Sequence, residues 1–281
     1  MACKRKMNTE LSLFPTRQST ESLCYTPHMA RANTPFVHLH VHSHYSLLQA
    51  LPQIDDLVDA AKKDGQEALA LTDAGALYGA IDFYKTCKKA GIKPIIGVDT
   101  YIAPRKRDQK EHNIDDRTSR LVLLVKNETG YQNLVQLVTK SYLEGFYYNP
   151  RADRELLVEH REGLIAILPS FAGEPAQHLK NHDEARADEA LSWYRDIFKD
   201  DLYMEITQHS EILGHDERMQ QLITLARKRE VPLVAAHDTY YLEQGDSFAR
   251  ELVYKIKTGG AIDRELADRP DDFSIITQNR A

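Results

Sequence analysis

Histidines recur at every second position in V-H-L-H-V-H-S-H, giving His38, His40, His42 and His44. Alternate side chains of an extended strand share a face. The spacing therefore predicts four imidazoles on one side and Val37, Leu39 and Val41 on the other. Imidazoles lined along a strand end are natural ligands for a transition metal. One histidine would more simply be a hydrogen-bonded or half-exposed side chain; four at period two favour metal chemistry. Carboxylates follow at suitable places. Asp73 stands in A-L-T-D-A-G, Asp99 in I-G-V-D-T-Y and Asp238 in V-A-A-H-D-T-Y-Y, each within or just after an apolar run. Taken singly, an Asp there is as readily a helix cap or turn former, and Asp73 is placed to cap a helix near Leu77. Their joint placement with the histidines points to a metal-dependent centre. Glu205 and His237 also lie near strand ends and are left without a role.

The elements that would position these groups alternate along the chain. Residues 36–41 read as a strand. Ile54, Leu57, Val58 and Ala61 then recur with helical spacing up to Gly65. A strand at 68–71, a helix at 77–90 and a strand at 94–102 follow, then a polar loop over 104–118 and a strand at 121–125. Tyr131, Leu134, Val135, Val138 and Tyr142 line the next helix. The second half repeats the scheme, with a helix near 153–162, a strand at 164–168, a helix at 184–198 and a strand at 202–206. Met219, Leu222, Ile223 and Ala226 mark a further helix, before a strand at 231–236 and a last helix at 245–257. These make seven βα units. Strands this apolar are covered on both faces, which predicts a parallel sheet. Repeated βα units form either a doubly wound sheet or a barrel. No Gly-rich loop follows the first strand, which favours a barrel, with reactive groups at the C-terminal strand ends.

The chain has 281 residues, 42% hydrophobic and 28% charged, as in an ordinary globular protein. Cys3, Cys24 and Cys87 form no CxxC pair, so a zinc ribbon or disulfide framework is disfavoured and a reducing cytoplasm is expected. The net charge of −6, with only short basic clusters such as Arg105-Lys106-Arg107, argues against a free-standing duplex-DNA binder. No apolar run has the length of a membrane span, so no membrane partner is expected. Residues 1–34 are rich in Ser, Thr, Arg and Lys and lack a period. They are expected to be a disordered leader, with the folded domain over 35–281. Met29 stands just before the first strand-like run and is an alternative start to Met1.

F-V-H-L-H-V-H-S-H-Y-S-L-L resembles the opening motif of the PHP (polymerase and histidinol phosphatase) domain of bacterial DNA polymerase III alpha subunits. Four further segments resemble that family in the same order: A-L-T-D-A-G-A-L-Y-G-A-I-D-F-Y-K, G-I-K-P-I-I-G-V-D-T-Y-I-A, N-E-T-G-Y-Q-N-L-V-Q-L-V and L-E-G-F-Y-Y-N-P-R-A-D-R-E-L-L. E-G-L-I-A-I-L and a late D-D-F continue the match. The resemblance spans roughly 35 to 275. It implies an α/β fold, a distorted seven-stranded (β/α) barrel. It also implies a place within a replicative polymerase, with the remainder of that polymerase and replisome subunits as partners and DNA reached through the parent enzyme. Some relatives carry a manganese- or zinc-type cluster with 3′–5′ exonuclease or phosphoesterase activity.

Carried over by position, the resemblance assigns His40, His42, Asp73, Asp99 and Asp238 as surviving metal ligands. It finds Gln49, Ala74, Arg120, Ser170 and Tyr240 where the family places others. Such a set holds at most one divalent ion (zinc, manganese or magnesium), and the fixed charge of Arg120 repels it. Arg120 is instead expected to pair with a leftover carboxylate. Two functions stand: a structural module of the polymerase, an N-terminal piece or a stand-alone remnant, without a polymerase palm; or a metal-dependent phosphoesterase or exonuclease with a reduced site. A free-standing histidinol phosphatase relative is the weaker third, because G-Y-Q-N-L and E-G-F-Y-Y-N-P resemble the polymerase branch.

Overall fold

The computed structural model describes residues 36–209, 212–260 and 274–275. The expected leader over 1–34 and the D-D-F segment at 271–273 lie outside the described residues. The first strand, β1 (His40–Val41), is followed by α1 (Ile54–Lys63), β2 (Ala68–Leu71), α2 (Ala80–Ala90), β3 (Lys93–Ile102) and β4 (Ser119–Val125). Next come α3 (Glu128–Leu143), β5 (Arg151–Ala152), α4 (Arg154–His160), β6 (Leu164–Leu168), α5 (Glu174–Lys180) and α6 (Glu184–Phe198). β7 (Leu202–Ile206), α7 (His215–Lys228), β8 (Leu233–Ala235), β9 (Asp238–Thr239) and α8 (Ser247–Lys257) complete the described chain.

A curled sheet runs β2-β3-β4-β6-β7-β8, with β5 alongside β3. β1 lies beside β2 at one end and pairs with β9, the short strand that follows β8, at the other. The Ala70 and Thr72 amides donate to the His38 and Val41 carbonyls at 2.9 and 2.8 Å, and β1 pairs in parallel with β9, His40 opposite Asp238. The result is a distorted α/β barrel. Its seven expected strands are β1, β2, β3, β4, β6, β7 and β8, with β5 and β9 as two-residue additions. Ala70, Val122, Leu124 and Ile167 fill its interior. A larger core, including Leu123, Leu134, Leu156, Leu168, Leu191 and Leu222, lies between the sheet and its covering helices.

The expectation of a parallel sheet fails at one strand. β4 runs antiparallel to both β3 and β6. A parallel neighbour needs a long crossover, usually a helix. The polar segment between β3 and β4 contains no α-helix, so β4 returns beside β3 in the opposite sense. The N-terminal end of β4, carrying Arg120, therefore meets the C-terminal end of β3, carrying Asp99 and Tyr101. α5 was not foreseen. The strand expected over 36–41 shortens to His40–Val41, and the helix expected from 77 begins at Ala80.

Two local features fix the frame. The first turn of α3 abuts the turn before β6 so closely that a Cβ on Gly130 would lie 1.8 Å from the Gly163 carbonyl oxygen. Asn127 caps that turn, its side chain accepting from the Gly130 amide at 2.9 Å. The second feature is Arg151, fully buried on β5. Its guanidinium donates to the carbonyls of Gly145, Asp115, Arg107 and Gln109 at 2.6–2.9 Å, tying the long β3–β4 loop to the barrel wall. The basic cluster within that loop is balanced. Arg105 pairs with Asp115 and Glu111, and Arg107 with Asp153 and Glu144.

Removing the Arg151 guanidinium strands carbonyls that have no other described donor, at about 1–3 kcal/mol for each group left dry. Arg151→Met is expected to lose about 3 kcal/mol or more in urea unfolding. A loss under about 1 kcal/mol would show that the loop is held by other contacts.

Candidate metal centre

His40 and His42 enter the barrel mouth from the first residue of β1 and the residue just after it. Both are buried. His40 Nδ1 donates to Glu205 Oε2 at 3.0 Å, and Glu205 Oε1 accepts from the Ser170 amide and hydroxyl at 3.0 and 3.1 Å. That bond turns His40 Nε2 toward Asp99 Oδ2 at 3.4 Å and Asp238 Oδ1 at 3.5 Å. His42 Nε2 faces the same two oxygens at 3.7 and 3.0 Å. The Tyr240 ring stacks on His42, with centres 4.4 Å apart and planes 5° from parallel. Among the described residues, His40, His42 and Asp99 form the group whose ligand atoms all lie within 4.8 Å of one another.

Arg120 occupies the remaining side. Its Nε donates to Asp99 Oδ1 at 3.0 Å and its Nη2 to Asp99 Oδ2, a two-pronged pair between a guanidinium and a buried carboxylate. The guanidinium carbon lies 3.9 Å from the Tyr101 ring centre. Register explains both contacts. Arg120 stands opposite Tyr101, and Asp99 is two residues back on the same face of β3.

The charges settle accordingly. Burial alone would raise the pKa of Asp99, but Arg120 and, less strongly, His40 and His42 hold it well below the usual carboxylate range. Burial works against the His40 imidazolium, yet Asp238, Asp99 and Glu205 together hold its pKa well above the ordinary value. Burial and the charge of Asp99 act oppositely on Arg120, and its pKa ends higher than that of a free guanidinium.

Asp73 is used differently. Its Oδ1 accepts from the Ser43 amide at 2.7 Å and the Ser46 hydroxyl at 2.6 Å, and its Oδ2 from the Ser43 hydroxyl at 2.8 Å. It fastens the turn after His42, and burial raises its pKa despite these bonds. That turn also explains why four alternating histidines do not converge. The chain leaves the strand after Val41 and turns at Ser43, so His44 packs against Tyr45 at 4.2 Å; His38, which precedes the strand, packs separately on Phe36 at 4.8 Å. His237 is buried beside His209, ring centres 5.2 Å apart.

The five positions at which the resemblance expects other ligands each make a contact. Gln49 donates to the Tyr101 hydroxyl at 3.3 Å, and the Ala74 amide donates to the Ser46 hydroxyl at 3.0 Å. Ser170 serves Glu205, Tyr240 serves His42 and Arg120 serves Asp99. Glu205 is the residue that sequence reasoning left unassigned. Its one signal was an acid inside the apolar run L-Y-M-E-I.

Donor spacing tests what this centre can hold. Ligand atoms around a tetrahedral zinc ion stand about 3.3 Å apart, given bond lengths near 2.05 Å. The Nε2 atoms of His40 and His42 lie 3.5 and 3.0 Å from Asp238 Oδ1, so one ion fits His40, His42 and Asp238. For a cluster the donors are poor: Asp73 is held by Ser43 and Ser46, Asp99 is paired with Arg120, and Gln49, Ala74, Arg120, Ser170 and Tyr240 offer no carboxylate, imidazole or thiolate.

A model of the PHP domain matches residues 38–209. The chain belongs to the PHP domain family. It is 45% identical over 232 residues to the DNA polymerase III subunit alpha of Treponema pallidum, covering 81% of this chain and 20% of that protein. It is 43% identical over 247 residues to the DNA polymerase III subunit alpha of Borreliella burgdorferi, covering 86% of this chain and 21% of that one. The chain thus spans about a fifth of the length of the curated relatives it matches. An amidohydrolase structure from Chromobacterium violaceum superposes with a TM-score of 0.44 and 13% identity over 73% of this chain and 87% of that one. No helix among the described residues is long and apolar enough to cross a membrane.

The pKa directions predict how the stability of chelator-treated protein depends on pH. The Asp99 contribution is present above the unfolded carboxylate pKa of about 3.9 and is lost as pH falls through the lower folded value. The His40 contribution is complete below the unfolded imidazole pKa of about 6.5 and is lost as pH rises through the higher folded value. Both are present between about pH 4 and 6.5, where denaturant unfolding should find the centre contributing most. Arg120→Met, which leaves Asp99 buried without its partner, should cost about 3–5 kcal/mol at neutral pH. It should also flatten the acid limb.

Proposed function

We propose that this PHP domain is the N-terminal module of a bacterial DNA polymerase III alpha subunit, acting in the cytoplasm as a structural element of the replicase and not as a hydrolase. The observation that carries this reading is the Arg120–Asp99 pair at the mouth of the barrel. Hydrolysis by a metal cluster needs bridging carboxylates free to bind dications. Here one candidate bridge, Asp99, is held by a guanidinium, and another, Asp73, is bound by two serines. The identity to alpha subunits supports the assignment to the polymerase. Its partners are then the rest of the polymerase chain and other replisome subunits, with DNA engaged through the parent enzyme.

A second reading has its own observation. The spacing of His40, His42 and Asp238 suits one ion, and two imidazoles with a carboxylate favour zinc, ahead of manganese, over magnesium. Glu205 would orient His40 from behind, as carboxylates commonly do for metal-bound imidazoles. Such an ion would acidify a bound water, which is the chemistry of a phosphoesterase or 3′–5′ exonuclease.

Exonuclease assays on single-stranded and mismatched primer DNA, with zinc, manganese or magnesium, separate the two readings. Natural protein is expected to show no metal-dependent hydrolysis. The variant Gln49→Asp, Ala74→His, Arg120→His, Ser170→Cys, Tyr240→His restores the family ligands and is expected to gain it. Robust activity in the natural chain, abolished by EDTA and by His42→Ala, would overturn the structural reading. Primer extension by the 281-residue chain is expected to be absent.

A further inference from the structure

We propose that the solvent face of α2 and the aromatic side chains beside it form a docking surface for single-stranded nucleic acid. The inference goes beyond the reading above and does not depend on the chemistry of the metal centre. Tyr78 stands just before α2, and Ile81 and Tyr84 follow it at intervals of three residues. Tyr142, near the end of α3, has its ring centre 6.4 Å from that of Tyr78, and the Phe146 ring centre lies 6.3 Å from that of Tyr142. Tyr78, Ile81, Tyr84 and Phe146 are each 47–59% exposed. Single apolar residues scattered over a surface need no explanation, but a connected row of them marks an interaction site.

The charges on α2 are sorted by face. Ile81, Tyr84, Lys85 and Lys88 recur at i, i+3, i+4 and i+7 and share one side of the helix. That side carries two exposed lysines and no acid. The one acid of α2, Asp82, falls on the neighbouring side with Thr86 and Lys89, at i, i+4 and i+7. Asp55 of α1 reaches that same side, accepting from the Thr86 hydroxyl at 3.1 Å. Both acids therefore stand with Lys89. Among the described residues, neither Lys85 nor Lys88 pairs with a carboxylate, and the Lys88 ammonium lies 5.9 Å from the Tyr84 ring centre. At the other end of the row, Glu144 accepts from Arg107 at 2.8 Å.

Exposed rings beside two lysines choose the ligand class. Bases stack on aromatic rings whatever their sequence, and cations between the rings meet the phosphates. A duplex hides its base faces, and the net charge of −6 opposes its dense phosphates. A protein partner would anchor its own side chains in recesses, whereas these rings project from the helix into solvent. A single strand is therefore favoured over a duplex or a peptide. Two lysines on two phosphates give a slope of about −1.4 in log K against log salt.

Fluorescence anisotropy on the full 281-residue chain in EDTA tests the proposal. The probes are a labelled DNA single strand of mixed sequence, the same sequence as a duplex, and polyglutamate. Saturable binding of the single strand is expected, about tenfold or more tighter than that of the duplex. Its salt slope of about −1.4 should fall toward about −0.7 in Lys85→Ala or Lys88→Ala. Tyr84→Ala should weaken binding by about tenfold, while Tyr84→Phe, which keeps the ring, should not. Neither should change the melting temperature. Arg117→Ala, at the barrel mouth, should leave binding as it is. No saturable binding, equal binding of the duplex, indifference to the Tyr84 and lysine substitutions, loss of binding in Arg117→Ala, or polyglutamate binding as tightly as the single strand would each overturn the proposal.

Discussion

A carboxylate taken out of water at the mouth of the barrel must be neutralised, and at Asp99 the neutralising group is the guanidinium of Arg120. The requirement is severe, since an unpaired charge at a buried site costs several kcal/mol. Meeting it constrains the strands. The antiparallel register of β3 and β4 sets Arg120 across from Tyr101 and diagonal to Asp99, so one side chain makes both an ion pair and a cation–π contact. His40 adds a second cation, held between Glu205 behind it and Asp99 and Asp238 in front. Arg120 and His40 are thus two side-chain cations that offset carboxylates in the centre of this PHP domain.

The surrounding structure supports that arrangement. Asp73 fastens the turn after His42 through Ser43 and Ser46, which holds the histidine pair at the barrel end. Tyr240 stacks on His42 and carries Arg250 on α8 against it. Arg151 secures the β3–β4 loop, the segment whose missing helix makes β4 antiparallel. The result is a compact polar centre in which Gln49, Ser170, Arg120 and Tyr240 each have a structural partner.

Much of this was legible in the chain. Period two placed His38, His40, His42 and His44 on one face, and the resemblance singled out His40 and His42; apolar runs marked Asp73, Asp99 and Asp238, of which Asp99 and Asp238 face the two imidazoles. The direction of β4 was less legible, although the polar, helix-free stretch over 104–118 was its visible sign. The divergence of His44 was not readable, since it depends on a turn fixed by Asp73, thirty residues from Ser43. Glu205 went unassigned because an acid in an apolar strand declares its role only when a distant histidine is placed beside it, 165 residues away in sequence. α5 escaped notice because seven residues, E-P-A-Q-H-L-K, are too few to establish a helical period.

The central claim is that side-chain cations, and not a metal, hold this centre together. It is tested most directly by the melting temperature of the natural protein before and after exhaustive chelation, with zinc or manganese then added back. The account predicts the same melting temperature in all three states. A fall of several degrees on chelation, reversed by stoichiometric metal and absent in His42→Ala, would contradict it.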